Sequence, residues 1–128
     1  MNAVDPVDPV DPVDPVDAMN AVDAMSAFDI RGTLPSGITV LEASAGTGKT
    51  HAIGALVTRY VAEGEATLDE LLVVTFGRAA SQELRERVRG QLVEAERALA
   101  DPAAARSSDN KLYSLLAGVP DNEVVTRR

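Results

Sequence analysis

The chain has 128 residues, a formal net charge of -8, no cysteine and one histidine, His51, so disulfides, thiolate metal sites and histidine-rich metal sites are excluded. No apolar stretch reaches the ~18 residues of a membrane-spanning helix, and the N-terminus lacks the basic start and apolar core of a signal peptide. Arginine greatly outnumbers lysine and alanine is abundant. We therefore expect a bacterial cytoplasmic protein without a membrane partner and with at most one folded domain.

The acidic charge is concentrated at the N-terminus. Residues 1–30 carry seven aspartates and no lysine or arginine, whereas the rest of the chain is nearly neutral. Residues 4–15 read Val-Asp-Pro four times, and a proline at every third position excludes a helix. We predict a disordered or polyproline II tail over residues 1–27, followed by a folded segment over residues 28–128. The acidity of the tail does not exclude a nucleic-acid partner for that segment.

The folded segment begins with a predicted strand and helix. The run Ile38-Thr39-Val40-Leu41 follows the turn residues Pro35-Ser36-Gly37 and predicts a buried strand. Residues 49–62 have helical periodicity, with Gly64 as the expected stop. The apolar positions expected on one face of this helix are Ile53, Leu56, Val57, Tyr60 and Val61.

A second strand and helix are predicted next. The apolar run 71–76 predicts another strand, and residues 79–100 predict an amphipathic helix. The stripe of that helix consists of Ala80, Leu84, Val88, Leu92, Ala95 and Leu99. Residues 111–116 indicate a short helical turn. The order strand, helix, strand, helix predicts an α/β fold with parallel strands joined by right-handed crossover helices.

The stretch between the first strand and helix is typical of a phosphate-binding loop. Its residues are Ala43, Ser44, Ala45, Gly46, Thr47, Gly48, Lys49 and Thr50. Small residues let backbone N–H groups approach polyphosphate at a helix N-terminus, where the helix dipole also favours anions. Lys49 is predicted to contact the terminal phosphates of ATP, and the hydroxyl of Thr50 to bind Mg²⁺. The general pattern is G-x-x-x-x-G-K-[ST], and Ala43 stands in place of its first glycine.

The loop and the segment 74–89 resemble motifs I and Ia of the UvrD-like superfamily 1 DNA helicases. Alanine in place of the first loop glycine is common in that group. The uninterrupted run 41–50, Phe28-Asp29 and the spacing of residues 79–85 resemble more narrowly the beta subunits of exodeoxyribonuclease V, over roughly residues 28–100. The resemblance implies a P-loop NTPase (RecA-like) fold, ATP and Mg²⁺ as cofactors, single-stranded DNA as a partner, and the gamma and alpha subunits of that enzyme as further partners.

The resemblance also implies DNA contacts at Thr75, Phe76 and Arg78. An aromatic ring at Phe76 can stack on a base, although the alternative is a core side chain that ends a strand. Gly77-Arg78 departs from the Thr-Asn-Lys of the UvrD type. Arg85 and Arg89 lie one helical turn apart and fit a phosphate path, but the neighbouring pair Glu83 and Arg87 at i, i+4 favours a solvated face. His51 is interpreted as a helical residue without a chemical role.

No acidic strand with an Asp-Glu pair follows the second predicted helix, and no arginine-finger motif, second motor domain or nuclease carboxylate set is seen in the sequence. We therefore expect the ATP-binding first part of a larger helicase–exonuclease subunit that acts in double-strand break repair and recombination. This part is expected to bind nucleotide without catalysis. Two alternatives stay open, namely a small P-loop kinase of nucleotides or metabolites and a non-catalytic remnant.

Overall fold

The structure, a computed structural model, describes residues 28–43, 46 and 48–128. Five α-helices and one short 3₁₀ helix follow one another in this part of the chain. The α-helices are α1 (Lys49–Ala62), α2 (Arg78–Leu99), α3 (Pro102–Arg106), α4 (Lys111–Leu116) and α5 (Asp121–Arg127), and the 3₁₀ helix spans Leu68–Glu70. The predicted tail over residues 1–27 lies outside the described residues, so it stays a prediction.

The predicted α/β fold with parallel strands is wrong for this structure. No strand forms within the described residues, and both runs that were predicted as strands lack a ladder partner. Leu71 does adopt extended backbone angles, with φ -99° and ψ 124°. Ile38 and Leu72 are nevertheless 100% and 88% exposed. β-Branched and apolar residues favour an extended backbone, but only hydrogen bonds to a neighbouring strand turn an extended segment into a sheet.

Helix α1 confirms the prediction over residues 49–62, including its stop. Gly64 has φ 75°, its N–H donates to the Val61 oxygen, and the Glu65 N–H donates to the Tyr60 oxygen. These two bonds form a Schellman motif, which requires the left-handed conformation that glycine adopts most easily. The predicted apolar face is partly wrong, since Ile53 is 37% exposed. The residues buried along α1 are Gly54, Ala55, Val57, Thr58 and Arg59.

Helix α2 agrees with the prediction to within one residue at each end. Leu84, Ala95 and Leu99 of its predicted stripe are buried, and the other three members are half-buried. The core lies where the C-terminal half of α2 meets α1 and the three short helices. It consists of Ala55, Ala95, Leu99, Ala105, Leu112, Leu116, Ala117 and Val124. Most of these side chains come from beyond residue 94.

The short helices begin at local capping signals. The Asp101 carboxylate accepts the Ala104 N–H at 3.1 Å, and Pro102 occupies the first turn of α3. The Asn110 side chain accepts the Leu112 N–H at 3.0 Å at the start of α4. Both residue types cap helices because a side-chain oxygen replaces the missing intrahelical acceptor. Helix α4 confirms the predicted turn, whereas α3 and α5 were not predicted.

The segment that precedes α1 is fixed to the end of that helix. Arg59 is 6% exposed, and its guanidinium donates to the backbone oxygens of Ile30 at 2.8 Å and Gly32 at 2.6 Å. It also pairs with Glu63, with 2.5 Å between Nε and Oε1. The Tyr60 hydroxyl donates to the Pro35 oxygen. These bonds hold residues 30–35 against α1 and thereby fix the segment that carries Phe28 and Asp29.

Candidate nucleotide site

Before α1, Gly46 and Gly48 have backbone conformations that glycine permits and other residues rarely adopt. Gly46 has φ 77° and Gly48 has φ 87°, both in the left-handed region where a side chain would be strained. Gly48 is the N-cap of α1, and its oxygen accepts the Ala52 N–H at 2.9 Å. No side chain caps this end of the helix in the part of the chain that is described. The first N–H groups of α1 are therefore suited to an external anion.

A cavity of about 500 Å³ opens beside this helix start. Its volume lies within the range of small-molecule sites. Gly48, His51, Ala52 and Ala55 form the wall contributed by the loop and α1. The remaining wall comes from the segment before α1 and from the start of α4, namely Phe28, Asp29, Ile30, Asp109, Asn110, Lys111 and Leu112.

The charges around the cavity are mixed. Lys111 is the cation of the lining. Lys49 is exposed and Thr50 is half-buried at the start of α1, but neither lines this cavity, and Thr50 instead lines a second hollow together with His51 and Gln91. Asp29 and Asp109 are the acidic residues of the lining, and Asp29 accepts the Arg31 N–H at 3.0 Å. Within residues 28–43, 46 and 48–128, no group of three or more His, Cys, Asp or Glu is arranged to hold a metal ion.

The predicted loop residues divide into two groups. Gly46, Gly48, Lys49 and Thr50 lie at the start of α1 as predicted, and Ala43 is exposed just before them. Ser44, Ala45 and Thr47 lie outside the described residues. Whether these residues bind a nucleotide stays a prediction.

The three residues predicted to contact DNA lie at the first position of α2 and just before it. Phe76 is 98% exposed, so the alternative of a core side chain is wrong. Thr75 is half-buried, and Arg78 is exposed as the first residue of α2. None of the three lines the cavity beside Gly48. The predicted DNA residues therefore lie outside the lining of this cavity, to which Gly48 alone contributes among the described residues that were predicted to bind nucleotide.

Two further arginines of α2 border a second hollow. Arg85 and Arg89 are exposed and lie along a groove of about 550 Å³, whose other walls are mostly apolar side chains of α1, α2 and residues 68–73. The predicted i, i+4 pair is confirmed, because Arg87 lies 2.9 Å from Glu83, with both side chains exposed. The helix therefore presents both an ion-paired surface and an arginine-bordered groove.

Sequence reasoning missed the contributions of Asp109, Asn110 and Lys111 to the cavity. Asn110 was recognisable as a helix cap in front of an apolar periodic segment. Its position beside Gly48 depends on how α4 packs against α1, which no local pattern encodes. Sequence reasoning also missed Gln91, whose amide nitrogen lies 3.1 Å from Nδ1 of His51.

Most of the chain matches one known protein family. The family described as the UvrD/REP helicase N-terminal domain matches residues 30–116. This chain belongs to the UvrD/REP helicase N-terminal domain family. The match includes the loop, both long helices and α4, so it covers most of the cavity and the residues predicted to contact DNA.

Among individual relatives, the similarity to RecB proteins is high. The chain is 68% identical over 80 residues to the RecBCD enzyme subunit RecB of Mycolicibacterium smegmatis, which covers 61% of this chain and 7% of that protein. It is 43% identical over 88 residues to RecB of Escherichia coli, covering 62% of this chain and 7% of that protein. It is also 45% identical over 73 residues to RecB of Chlamydia muridarum, covering 55% of this chain and 7% of that protein.

The chain spans about 7% of the length of the RecB relatives that it matches. The predicted resemblance to UvrD-like helicases and to the beta chain of exodeoxyribonuclease V is thereby confirmed. No solved structure matches the chain. None of the helices in the described part is long and apolar enough to cross a membrane.

Proposed function

We propose that this chain is the ATP-binding N-terminal portion of a helicase–exonuclease subunit that processes DNA ends in double-strand break repair and recombination. The observation that carries the proposal is the 500 Å³ cavity beside Gly48, directly at the N-terminus of α1. Family membership supports the helicase part. The similarity to RecB, a subunit of the RecBCD enzyme, supports the wider role.

The residues of the cavity, together with those at the adjoining start of α1, fit ATP and Mg²⁺. The two left-handed glycines leave no side chain between the backbone and an approaching phosphate, and an ideal Cβ at either position would meet no atom within 4 Å. Lys49 would contact the terminal phosphates, and the Thr50 hydroxyl would be one ligand of Mg²⁺. Bound Mg²⁺ would supply charge neutralisation of the phosphates. Phe28 and Asn110 on the distant walls offer an aromatic face and an amide for the base end of the nucleotide.

We propose nucleotide binding without appreciable hydrolysis by this chain. Its Asp-Glu pair, Asp69-Glu70, precedes the apolar run instead of following it. The Glu70 carboxylate there accepts the Thr67 N–H at 2.8 Å and caps the 3₁₀ helix. Loss of one preorganised catalytic group typically costs ~2.7–4 kcal/mol of transition-state stabilisation. Glu70 is thus engaged in a helix cap, and it does not line the cavity beside Gly48.

Single-stranded DNA is the proposed polymer partner. The exposed ring of Phe76, just before α2, and the guanidinium of Arg78, at its first position, would be neighbouring DNA contacts beside Thr75. Aromatic stacking and backbone charge neutralisation are the usual means of binding single strands. The gamma and alpha chains of exodeoxyribonuclease V are proposed as protein partners of the helicase–exonuclease subunit.

Calorimetric titration with Mg-ATP tests the proposal. We expect saturable binding that weakens at least tenfold in Lys49→Met, because this substitution removes a phosphate-contacting charge and keeps the side-chain length. Arg97→Met, which removes an exposed charge from the last turn of α2, serves as the control and should bind normally. Binding that is equal in Lys49→Met and the unsubstituted chain would contradict the proposed site.

A further inference from the structure

His51 lines two hollows, and its ring contacts a residue of α2 that is distant in sequence. His51 lines the 500 Å³ cavity on one side and a smaller hollow of about 230 Å³ on the other, which Thr50 and Gln91 also line. The Gln91 Nε2 atom lies 3.1 Å from Nδ1 of His51, although the two residues are 40 positions apart in sequence. The contact therefore connects α2 to the first turn of α1, immediately after Lys49 and Thr50.

Gly54 makes the space that this contact requires. An ideal Cβ at residue 54 would lie 1.8 Å from Oε1 of Gln91 and 2.9 Å from its Cδ. Both distances are shorter than real contacts, so even alanine would displace the Gln91 amide. Glycine weakens a helix interior relative to alanine. Its presence one turn after Thr50 is explained by the close approach of α2, since Gly54 does not adopt a left-handed conformation.

The orientation of the Gln91 amide goes together with one tautomer of the histidine. With the amide nitrogen facing Nδ1, the contact requires the tautomer whose proton is on Nε2, because an amide nitrogen can only donate. Oε1 of Gln91 is buried without a hydrogen-bond partner in the described residues. A rotated amide would instead bury two N–H donors against Gly54. The contact with His51 thus leaves one buried acceptor, Oε1 of Gln91, unpaired among the described residues. Buried unpaired acceptors are rare, which indicates that this side chain is retained for its position.

We propose that Gln91 is a positioning residue for the nucleotide cavity. Through its hydrogen bond to His51 it holds a side chain of the cavity wall and, with it, the first turn of α1, whose N–H groups are proposed to face the phosphates. This inference rests on the proposed function, because it assigns Gln91 to the same nucleotide site.

Mg-ATP affinity of the full 128-residue chain tests the positioning role. Gln91→Ala should weaken binding about three- to tenfold, the range expected for one lost hydrogen bond. Gln82→Ala is the matched control, because Gln82 lies on the same helix and donates at 2.9 Å to Glu86 on the exposed surface. It should bind Mg-ATP like the unsubstituted chain.

Gly54→Ala provides a second route to the same contact. Its added methyl should displace the Gln91 amide and weaken Mg-ATP binding by a similar factor. In the Gln91→Ala background the same methyl meets no amide, so Gly54→Ala should have no further effect on affinity there. Equal and additive losses from the two substitutions would show that they act independently and would overturn the coupling.

The nitrogen signals of His51 give a readout that a loss of stability alone would not change. His51 is the chain's single histidine, so its imidazole signals are unambiguous. Under alkaline conditions that keep the ring neutral, we expect the unsubstituted chain to show the Nε2–H tautomer with a hydrogen-bonded Nδ1. The Gln91→Ala variant, with native circular dichroism, should lose the signature of the Nδ1 hydrogen bond.

The outcomes separate the two proposals. If the unsubstituted chain binds Mg-ATP and folded Gln91→Ala binds it equally, the positioning role is wrong and the proposed function stands. If the chain does not bind Mg-ATP, the proposed function falls and the inference falls with it. An Nδ1 without the signature of a hydrogen bond in the unsubstituted chain would contradict the contact itself, independently of nucleotide binding.

Discussion

The guanidinium of Arg59 donates a hydrogen bond of 2.6 Å to the backbone oxygen of Gly32, 27 residues earlier in the chain. The same guanidinium bonds to the Ile30 oxygen and pairs with the Glu63 carboxylate. All of its bonds are shielded from solvent, since the Arg59 side chain is 7% exposed. Arg59 therefore fixes the segment that forms one wall of the nucleotide cavity.

Replacement of Arg59 should destabilise the fold strongly. In Arg59→Met the apolar stem is kept, but Glu63 and two backbone oxygens lose their donor in a shielded environment. Removal of one partner from a buried pair typically costs ~3–5 kcal/mol. Urea unfolding followed by circular dichroism measures this loss. Arg87→Met is the control, because its pair with Glu83 is exposed and should contribute only ~0.5 kcal/mol or less. Equal midpoints for the two variants would contradict the role of Arg59.

Tyr113 links α4 to α2 and predicts an alkaline dependence of stability. Burial, then the charge of Glu94 and the hydrogen bond of 3.2 Å to its carboxylate raise the pKa of Tyr113 above its ordinary value of about 10. The unfolded chain therefore loses this proton at a lower pH than the folded chain. The stabilisation is complete below about pH 10 and is lost as the pH rises through the folded pKa.

Urea unfolding at several alkaline pH values measures this dependence. The free energy of unfolding should fall more steeply above about pH 10 in the unsubstituted chain than in Tyr113→Phe, which lacks the titrating hydroxyl. Parallel curves for the two chains would contradict the raised pKa.

The two phenylalanines of the chain offer a reciprocal test of the separated sites. Phe76→Ala should weaken binding of an oligo-dT strand, with a loss of ~1–3 kcal/mol if the ring stacks on a base, and should leave Mg-ATP binding unchanged. Phe28→Ala should do the opposite, because Phe28 lines the cavity. Fluorescence anisotropy of labelled oligo-dT and calorimetry of Mg-ATP provide the two readouts. A loss of both ligands in both variants would indicate a general effect on folding.

The elements that could be predicted from sequence are those whose signals are local. Helices α1 and α2 were predicted because their apolar periodicity extends over 14 and 22 residues, and Gly64 marks the end of α1 by its own conformational freedom. The start of α1 at Lys49, after the left-handed Gly46 and Gly48, was predicted from local signals as well, namely small residues followed by lysine and threonine. The i, i+4 ion pair of Glu83 and Arg87 was predicted because it too depends on a local signal, the spacing of two charges on one helix.

The features that could not be predicted depend on which segments meet. The apolar runs 38–41 and 71–76 favour an extended backbone, but a sheet requires partners that the described residues do not supply. The contact of Gln91 with His51 and Gly54 joins two helices across 40 residues, and no periodicity marks it. The part of the cavity wall around Asn110 likewise depends on how α4 packs against α1.

The central claim is that Mg-ATP occupies the cavity beside Gly48 and His51. Amide chemical-shift changes of the isotope-labelled full chain during titration with Mg-ATP test it most directly. We predict saturable shifts at Gly46 and Gly48, along residues 49–52, and on the opposite walls at residues 28–30 and 109–112, and their loss in Lys49→Met. Shifts confined to the groove bordered by Arg85 and Arg89, or shifts that persist in Lys49→Met, would contradict it.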